Sequence, residues 1–178
     1  MTEKKFFIKS KKYPKILSTV PFNDKRGSFK RLFCRIEFYN LLKKNFSIQQ
    51  INYSLTKKKG TIRGLHLQKK PYSETKIIIC LQGKIFDVSV NMNKNSKEYL
   101  KVYSKVLDSK NFNVLIIPEN YAHGFQALTN NCKILYFVTK KYSRNHEVTI
   151  NPLDLKLNIN WPIKNYFLSL KDKSGDNV

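Results

Sequence analysis

The sequence predicts an all-β domain: a β-sandwich, jelly roll or small barrel. Three observations carry that expectation. Short apolar runs, many of them strictly alternating, recur from residue 48 to 139 with turn residues between them. One stretch alone shows convincing helical spacing. And 178 residues, 41% hydrophobic and 13% aromatic, suit a single domain, 1–178, with a core of its own.

Taken in order, residues 6–22 read as one or two short strands punctuated by Pro14 and Pro21. In FNDKRGSFKRLF, residues 22–33, Asp24 to Gly27 form a turn signal ahead of Phe29. Ile36, Tyr39, Leu42 and Phe46 recur at near-helical spacing, which predicts a helix over 35–45. Residues 48–55 alternate as a strand with Gln50 and Asn52 on one face. Residues 76–92 make two strands joined near Gln82–Gly83. The second sets Phe86, Val88 and Val90 against Asp87, Ser89 and Asn91. Strands are then expected at about 98–107, 112–118, 123–128 and 132–139. The 151–162 stretch is irregular, with Trp161 as an apolar anchor.

The net charge of +22, from 34 Lys and Arg against 12 Asp and Glu, would suit nucleic acid, a membrane surface or a phosphorylated ligand. The lysines are scattered through every segment, beside abundant Asn and Ile, as coding bias in an AT-rich genome would leave them. No helix carries a basic stripe, and no basic run is interleaved with aromatics for stacking on bases. No apolar run approaches membrane-spanning length, and MTEKKFFIKS lacks the apolar region of a signal peptide. Cys34, Cys80 and Cys132 form no CxxC pair and read as free thiols of a cytoplasmic protein. His66 and His123 stand in different motifs with no HxH or HExxH spacing, so no metal is expected.

The chain is organised around GTIRGLHLQKKPYSETK, residues 60–76. Ile62, Leu65 and Leu67 surround an arginine, a histidine and a lysine there, so this is not a solvated charge run. A strand would send alternate side chains to opposite faces, and the face carrying Gly64, His66 and Gln68 is polar. Such a face meets water or a ligand. Arg63 and His66 have opposite parity, so a regular strand would aim them apart. Gly64 between them permits a bulge, which is expected there.

Further stretches accompany it: IFDVSVN at 85–91, IPENYAHGFQAL at 117–128, Tyr136 with Tyr142, INWP at 159–162 and LSLKD at 168–172. With RGLHLQ and Lys76 they make the chain, from about Phe22 to Asp172, resemble the dTDP-4-dehydrorhamnose 3,5-epimerase family. The resemblance implies a double-stranded β-helix, a jelly roll of the cupin type with one or two short helices, and a homodimer. It implies no metal and no organic cofactor. It also implies an isomerase that inverts C3 and C5 of a nucleotide-linked 4-keto-6-deoxyhexose, most simply dTDP-4-dehydro-6-deoxy-D-glucose. By position, His66 matches the family's proton-abstracting histidine and Asp172 the aspartate paired with it. Tyr136 matches the proton donor, and Lys76 and His123 match residues at the sugar end. Arg26, Phe29, Gln50, Asn52, Arg63, Glu147 and Lys171 match contacts to the nucleotide or its diphosphate, and Tyr142 the tyrosine stacked on the base. Asp87 is assigned no role.

These residue types fit that chemistry. Moving a proton beside a carbonyl makes an enolate, which requires a base on one face, an acid on the other and positive charge at the forming oxyanion. An ordinary imidazole titrates near about 6.5 and an ordinary phenol near about 10, suitable for the base and the acid. A fixed ammonium near the oxyanion is worth several kcal/mol, on the order of 3. Departures from the family pattern are Arg31 in place of a glutamate, which leaves the nucleobase open, Asn91 in place of an aspartate, and Asn158 in place of a glycine. The loop between Asn52 and Arg63 is one residue longer than the family pattern, and only six residues follow Asp172. The nearest alternative is an epimerase acting at C3 alone or C5 alone. A non-catalytic basic jelly-roll module is the alternative of a different class.

Overall fold

A computed structural model of the chain describes residues 6–8 and 14–178. The strands in chain order are β1 Phe7–Ile8, β2 Lys15–Ser18, β3 Phe22–Asp24, β4 Gly27–Phe29, β5 Gln50–Thr56, β6 Ile62–Gln68 and β7 Lys76–Gln82. After them come β8 Lys84–Asn91, β9 Val102–Asp108, β10 Val114–Ile117, β11 Tyr121–Ala127, β12 Cys132–Val138 and β13 Glu147–Thr149. Helix α1 spans Arg35–Leu42 and α2 spans Leu170–Lys173. Within the 6–22 region, residues 9–13 lie outside the described residues.

Two antiparallel sheets face each other. One is ordered β1-β2-β10-β7-β12-β5, the other β13-β6-β11-β8-β9, and β3 pairs with β4 as a separate hairpin. This is a two-sheet jelly roll, one of the architectures that the alternating strands leave open and the one that the family resemblance implies. The strand pair expected over 76–92 turns at Gly83, whose φ of +80° is backbone that glycine adopts without strain. Asn158, at φ +47°, takes the left-handed conformation for which asparagine is suited.

Strand parity builds three layers of packing. Ile77, Ile79, Ile116 and Phe137 point outward from the first sheet and are covered by Phe38, Leu42 and Phe46. Ile62, Leu65, Val88 and Val90 point outward from the second and are covered by Ile150, Leu157 and Trp161. Trp161 is anchored further by its Nε1 proton, donated to the Pro152 carbonyl at 2.9 Å. Between the sheets lie Ile78, Cys80, Ile85, Leu115, Phe125, Ala127 and Ile134. Each fully buried branched or aromatic side chain contributes roughly 1.5–3 kcal/mol by leaving water. Burial pushes the Cys80 thiol up to about 12, so it behaves as an inert core group.

Two boundaries depart from the sequence expectation. Helix α1 ends at Leu42, because Lys43 takes a left-handed φ of 53° and turns Phe46 back into the cluster. Its buried residues are Phe38 and Leu42, while Ile36 and Tyr39 are exposed, so only the Leu42 and Phe46 half of the apolar stripe that predicted the helix is buried. The strand expected from residue 98 begins at Val102, since hydrogen-bonded turns occupy 93–101.

The bulge expected at Gly64 is present. Pairing of β11 with β6 steps from His123↔His66 to Phe125↔Arg63, two residues on one strand against three on the other. Gly64 has φ +101°, and a Cβ there would stand 2.5 Å from the His123 carbonyl oxygen. A Cβ on Gly124 would stand 2.6 Å from the Arg63 oxygen. Only two glycines facing each other let the backbones come this close.

Candidate active site

Read along the inward-facing positions, each central strand changes from apolar to polar. Strand β7 runs Cys80, Ile78, Lys76; β12 runs Cys132, Ile134, Tyr136; β11 runs Ala127, Phe125, His123. The apolar halves fill one end of the space between the sheets. The polar halves line a cavity of about 500 Å³ at the other, within the range of small-molecule sites.

His66 and His123 enter this cavity from one sheet, and Tyr136 and Lys76 from the other. His66 and His123 are direct cross-strand partners. The His123 ring meets Tyr136 edge-on, centroids 6.2 Å apart, across the gap between the sheets. All four catalytic candidates, His66, Lys76, Tyr136 and Asp172, line one cavity, although 106 residues separate the first from the last.

Asp172 arrives with the tail. Leu168–Gly175 docks beneath β6, and the Ser169 hydroxyl accepts from the Asp172 amide to start α2. The carboxylate lies 2.7 Å from His66 Nε2 and accepts from the Gly64 amide at 3.3 Å. Burial alone would push the Asp172 carboxyl up. The hydrogen bond and charge of His66 outweigh it and, with the Ser169 and Gly64 bonds, hold it below the usual carboxylate range. With Nε2 engaged, the other ring nitrogen of His66, Nδ1, is the one left for a substrate proton.

Tyr136 is the opposite case. Burial pushes its phenol far above the ordinary range, the charge of Asp87 pushes the same way, and Arg63 opposes them. The phenol is therefore in its protonated form at neutral pH. Asp87, which the sequence reading left without a role, lies 2.7 Å from His123 Nε2, the two side chains 1% and 4% exposed. Burial raises its carboxyl against the pull of His123.

Of the nucleotide-end candidates, Asn52, Arg63 and Lys171 line the cavity, as does the sugar-end candidate His123. Arg63 is steadied by Thr56 Oγ1 at 3.0 Å, and the bulge is what turns it to the same side as His66. Gln50, Tyr142 and Glu147 do not line it; Gln50 and Glu147 are bonded to residues that do, and Tyr142 is bonded to those two. Gln50 donates to Asn52 at 2.7 Å and accepts from the Tyr142 amide at 3.1 Å. Glu147 accepts from Tyr142 Oη at 2.8 Å and Lys171 Nζ at 2.6 Å. Burial would raise the Glu147 carboxyl, and those two bonds bring it below its usual range. Arg26 and Phe29 stand apart on the β3–β4 hairpin, where Arg26 pairs with Asp24 at 2.7 Å. Arg31 does not line the cavity either: its guanidinium pairs closely with Glu37 of α1.

The polar face read from Gly64, His66 and Gln68 divides. His66 meets the cavity, whereas the Gln68 amide is enclosed among Tyr72, Glu74 and Lys141. Besides Asp87, sequence reasoning missed Glu74, which pairs with Lys76 at 3.0 Å. Glu74 stands two residues before Lys76, ahead of the start of β7, where strand alternation gives no signal. Among the described residues, no three His, Cys, Asp or Glu side chains cluster closely enough to hold a metal ion.

Fold and cavity together define a jelly-roll protein with an acid–base site built between its sheets. The sequence profile described as dTDP-4-dehydrorhamnose 3,5-epimerase matches residues 14–178, and the chain belongs to that family. It is 36% identical over 154 residues to the dTDP-4-dehydrorhamnose 3,5-epimerase of Shigella flexneri, covering 86% of this chain and 84% of that one. The crystal structure of the Bacillus anthracis enzyme of the same name, with TDP and PPi bound, has a TM-score of 0.93 at 32% identity. The match covers 97% of this chain and 99% of that one. A Legionella pneumophila dTDP-6-deoxy-D-glucose-3,5-epimerase, solved in complex with dTDP-4-keto-L-rhamnose, has a TM-score of 0.90 at 30% identity, over 97% and 92% of the two chains.

The depressed Asp172 carboxyl has a testable consequence. Its contribution to stability is complete above the ordinary carboxylate value, near about 3.9, and is lost as pH falls through the lower folded value. Replacing Asp172 by Asn should remove that part of the acid sensitivity in thermal melts between pH 7 and 2. It should also lower kcat at neutral pH by on the order of 10². A variant with the wild-type melting profile and full kcat would mean that the pair is idle.

Proposed function

We propose that the chain inverts C3 and C5 of dTDP-4-dehydro-6-deoxy-D-glucose, giving dTDP-4-dehydro-L-rhamnose. The observation that carries this reading is the placement of His66 and Tyr136 on different sheets facing one cavity. A hexose ring between them has one face toward each.

His66 takes the proton from the carbon beside the C4 ketone, and the bonding pair moves onto O4 as an enolate. Lys76 and His123 surround that oxygen, and Lys76 supplies the positive charge that the developing oxyanion needs. Asp172 stabilises the imidazolium that forms on His66. The pair then returns from O4 to carbon, which takes the Tyr136 proton on the opposite face and is inverted. Solvent exchange returns a proton from His66 to the tyrosinate before the second carbon reacts. Arg63 and Lys171 bind the diphosphate, Gln50 and Asn52 the nucleoside side, and Tyr142 stacks on the base, with Glu147 holding Tyr142 and Lys171 in place.

Incubating the protein with dTDP-4-dehydro-6-deoxy-D-glucose in D₂O tests this. NMR and mass spectrometry should find deuterium at both C3 and C5 of an inverted sugar. Label at one carbon would reduce the activity to a single epimerisation, and no label would make the chain a binding module.

The same proposal extends to the assembly. The chain functions as a homodimer in the cytoplasm, and the β3–β4 hairpin brings Arg26 and Phe29 to the nucleotide end of a second copy's cavity. In support, Phe29 is 71% exposed and lies outside its own cavity lining. Ile51, Tyr53 and Leu55 form an exposed apolar row on the outer face of edge strand β5. All three cysteines are free thiols, as in a reducing compartment. No helix of the described residues is long and apolar enough to cross a membrane. Sedimentation equilibrium should give twice the 21.0 kDa chain mass; a species of one chain mass would contradict the shared site.

A further inference from the structure

Two buried side chains that do not line the cavity stand behind the groups that do. Glu74 Oε1 lies 3.0 Å from Lys76 Nζ, with the two side chains 9% and 11% exposed. Its other oxygen accepts from Gln68 Nε2 at 2.9 Å. Gln68, 4% exposed, has further partners. Nε2 also lies 3.2 Å from the Tyr72 and Lys141 carbonyl oxygens, and Oε1 accepts from the Ser143 amide at 2.6 Å. Lys141 and Ser143 flank Tyr142. An unbroken chain of polar contacts therefore runs from the Lys76 ammonium to the backbone that carries Tyr142.

Each part of this arrangement has a physical reason. A lysine ammonium on a four-carbon stem is a mobile point charge, and Lys76 has a second polar contact only at 3.4 Å, the His66 carbonyl. The carboxylate fixes that charge in direction as well as distance. Glu74 in turn is held by an amide whose other groups are all taken by backbone, so it has little freedom to follow the lysine. Gln68 sits at the end of β6, two residues after His66, and is carried by the same strand as the base.

We propose that Glu74 and Gln68 are positioning residues: Glu74 holds the Lys76 ammonium where the enolate oxygen forms, and Gln68 ties that point to the 141–143 backbone. The sugar and nucleotide ends of the site are thereby held at one separation. This rests on the assignments of Lys76 and Tyr142 made above. It separates two kinds of effect, because Glu74 acts on the sugar end alone whereas Gln68 acts on both.

The test compares Glu74→Gln, Glu74→Ala, Gln68→Leu and Lys76→Ala in the full chain. It measures kcat, KM, dTDP affinity by calorimetry, and the thermal midpoint. Glu74→Ala should lower kcat by about tenfold to a hundredfold through loss of geometry. Its dTDP affinity should stay within about twofold of wild type. Glu74→Gln, nearly isosteric and still able to accept one hydrogen bond, should recover part of the loss. Gln68→Leu should lower kcat and also weaken dTDP by about tenfold, the scale of one buried hydrogen bond. Full kcat in both Glu74 variants beside an impaired Lys76→Ala overturns the proposal and leaves the site reading standing. Parallel losses of kcat, dTDP affinity and thermal midpoint in Glu74→Gln also overturn it, since the residue would then be merely structural. A fully active Lys76→Ala overturns the assignment of Lys76, and the proposal falls with it.

Discussion

The close approach of β6 to β11 at Gly64 and Gly124 is the constraint on which the site depends. With no Cβ on either residue, the two backbones can pass at a distance that any other side chain would block. The extra residue this accommodates on β6 reverses strand parity between Arg63 and His66. In a regular strand one of the two would face the outer core. Here both line the cavity, so a guanidinium and an imidazole are presented three residues apart. The same stretch supplies the amide of Gly64 to Asp172, so the bulge also receives the tail.

Around that bulge the cavity holds buried charge without orphaning it. Asp172 is set on His66, Asp87 on His123, and Glu74 on Lys76. Each pairing is made by a residue distant in sequence or on another strand, save for Glu74 and Lys76. A buried charge left alone would cost several kcal/mol, of order 3–5 when one partner of a pair is removed. These pairs therefore fix protonation and geometry together. Tyr136, by contrast, packs against the inter-sheet core, and burial together with the Asp87 charge favours its neutral, proton-bearing form. Within one cavity, His66 is paired with a carboxylate whereas the Tyr136 phenol is held neutral, an arrangement that keeps two titratable groups in different protonation states.

Much of this could be read from the chain. Alternation located β5, β7, β8 and β12 to within a few residues, because each buries one face and exposes or differently buries the other. The parity conflict at Arg63 and His66 was enough to place the bulge on Gly64. What periodicity could not supply was register between strands. Alternation put Asp87 opposite the apolar face of its strand, toward the interior or solvent, but its contact with His123 follows only once β8 is known to pair with β11. Glu74 looked like a loop residue before a strand. Helix α1 misled in part: of the apolar stripe that predicted it, Leu42 and Phe46 are buried but Ile36 and Tyr39 are exposed. Arg26 and Phe29 matched the family pattern yet sit on a hairpin outside the cavity of their own chain, and no single-chain argument brings them to it.

The central claim is that a base on one sheet and an acid on the other work on opposite faces of the same ring. Comparing His66→Ala with Tyr136→Phe in D₂O tests that division most directly. Without His66 the enolate cannot form, so neither exchange nor inversion should be seen. Without the Tyr136 hydroxyl the enolate still forms and is quenched from the side of the base. Deuterium should then enter with configuration retained, while inverted product falls by on the order of 10²–10⁴. Undiminished inversion by Tyr136→Phe, or deuterium uptake by His66→Ala, would contradict the two-sheet account.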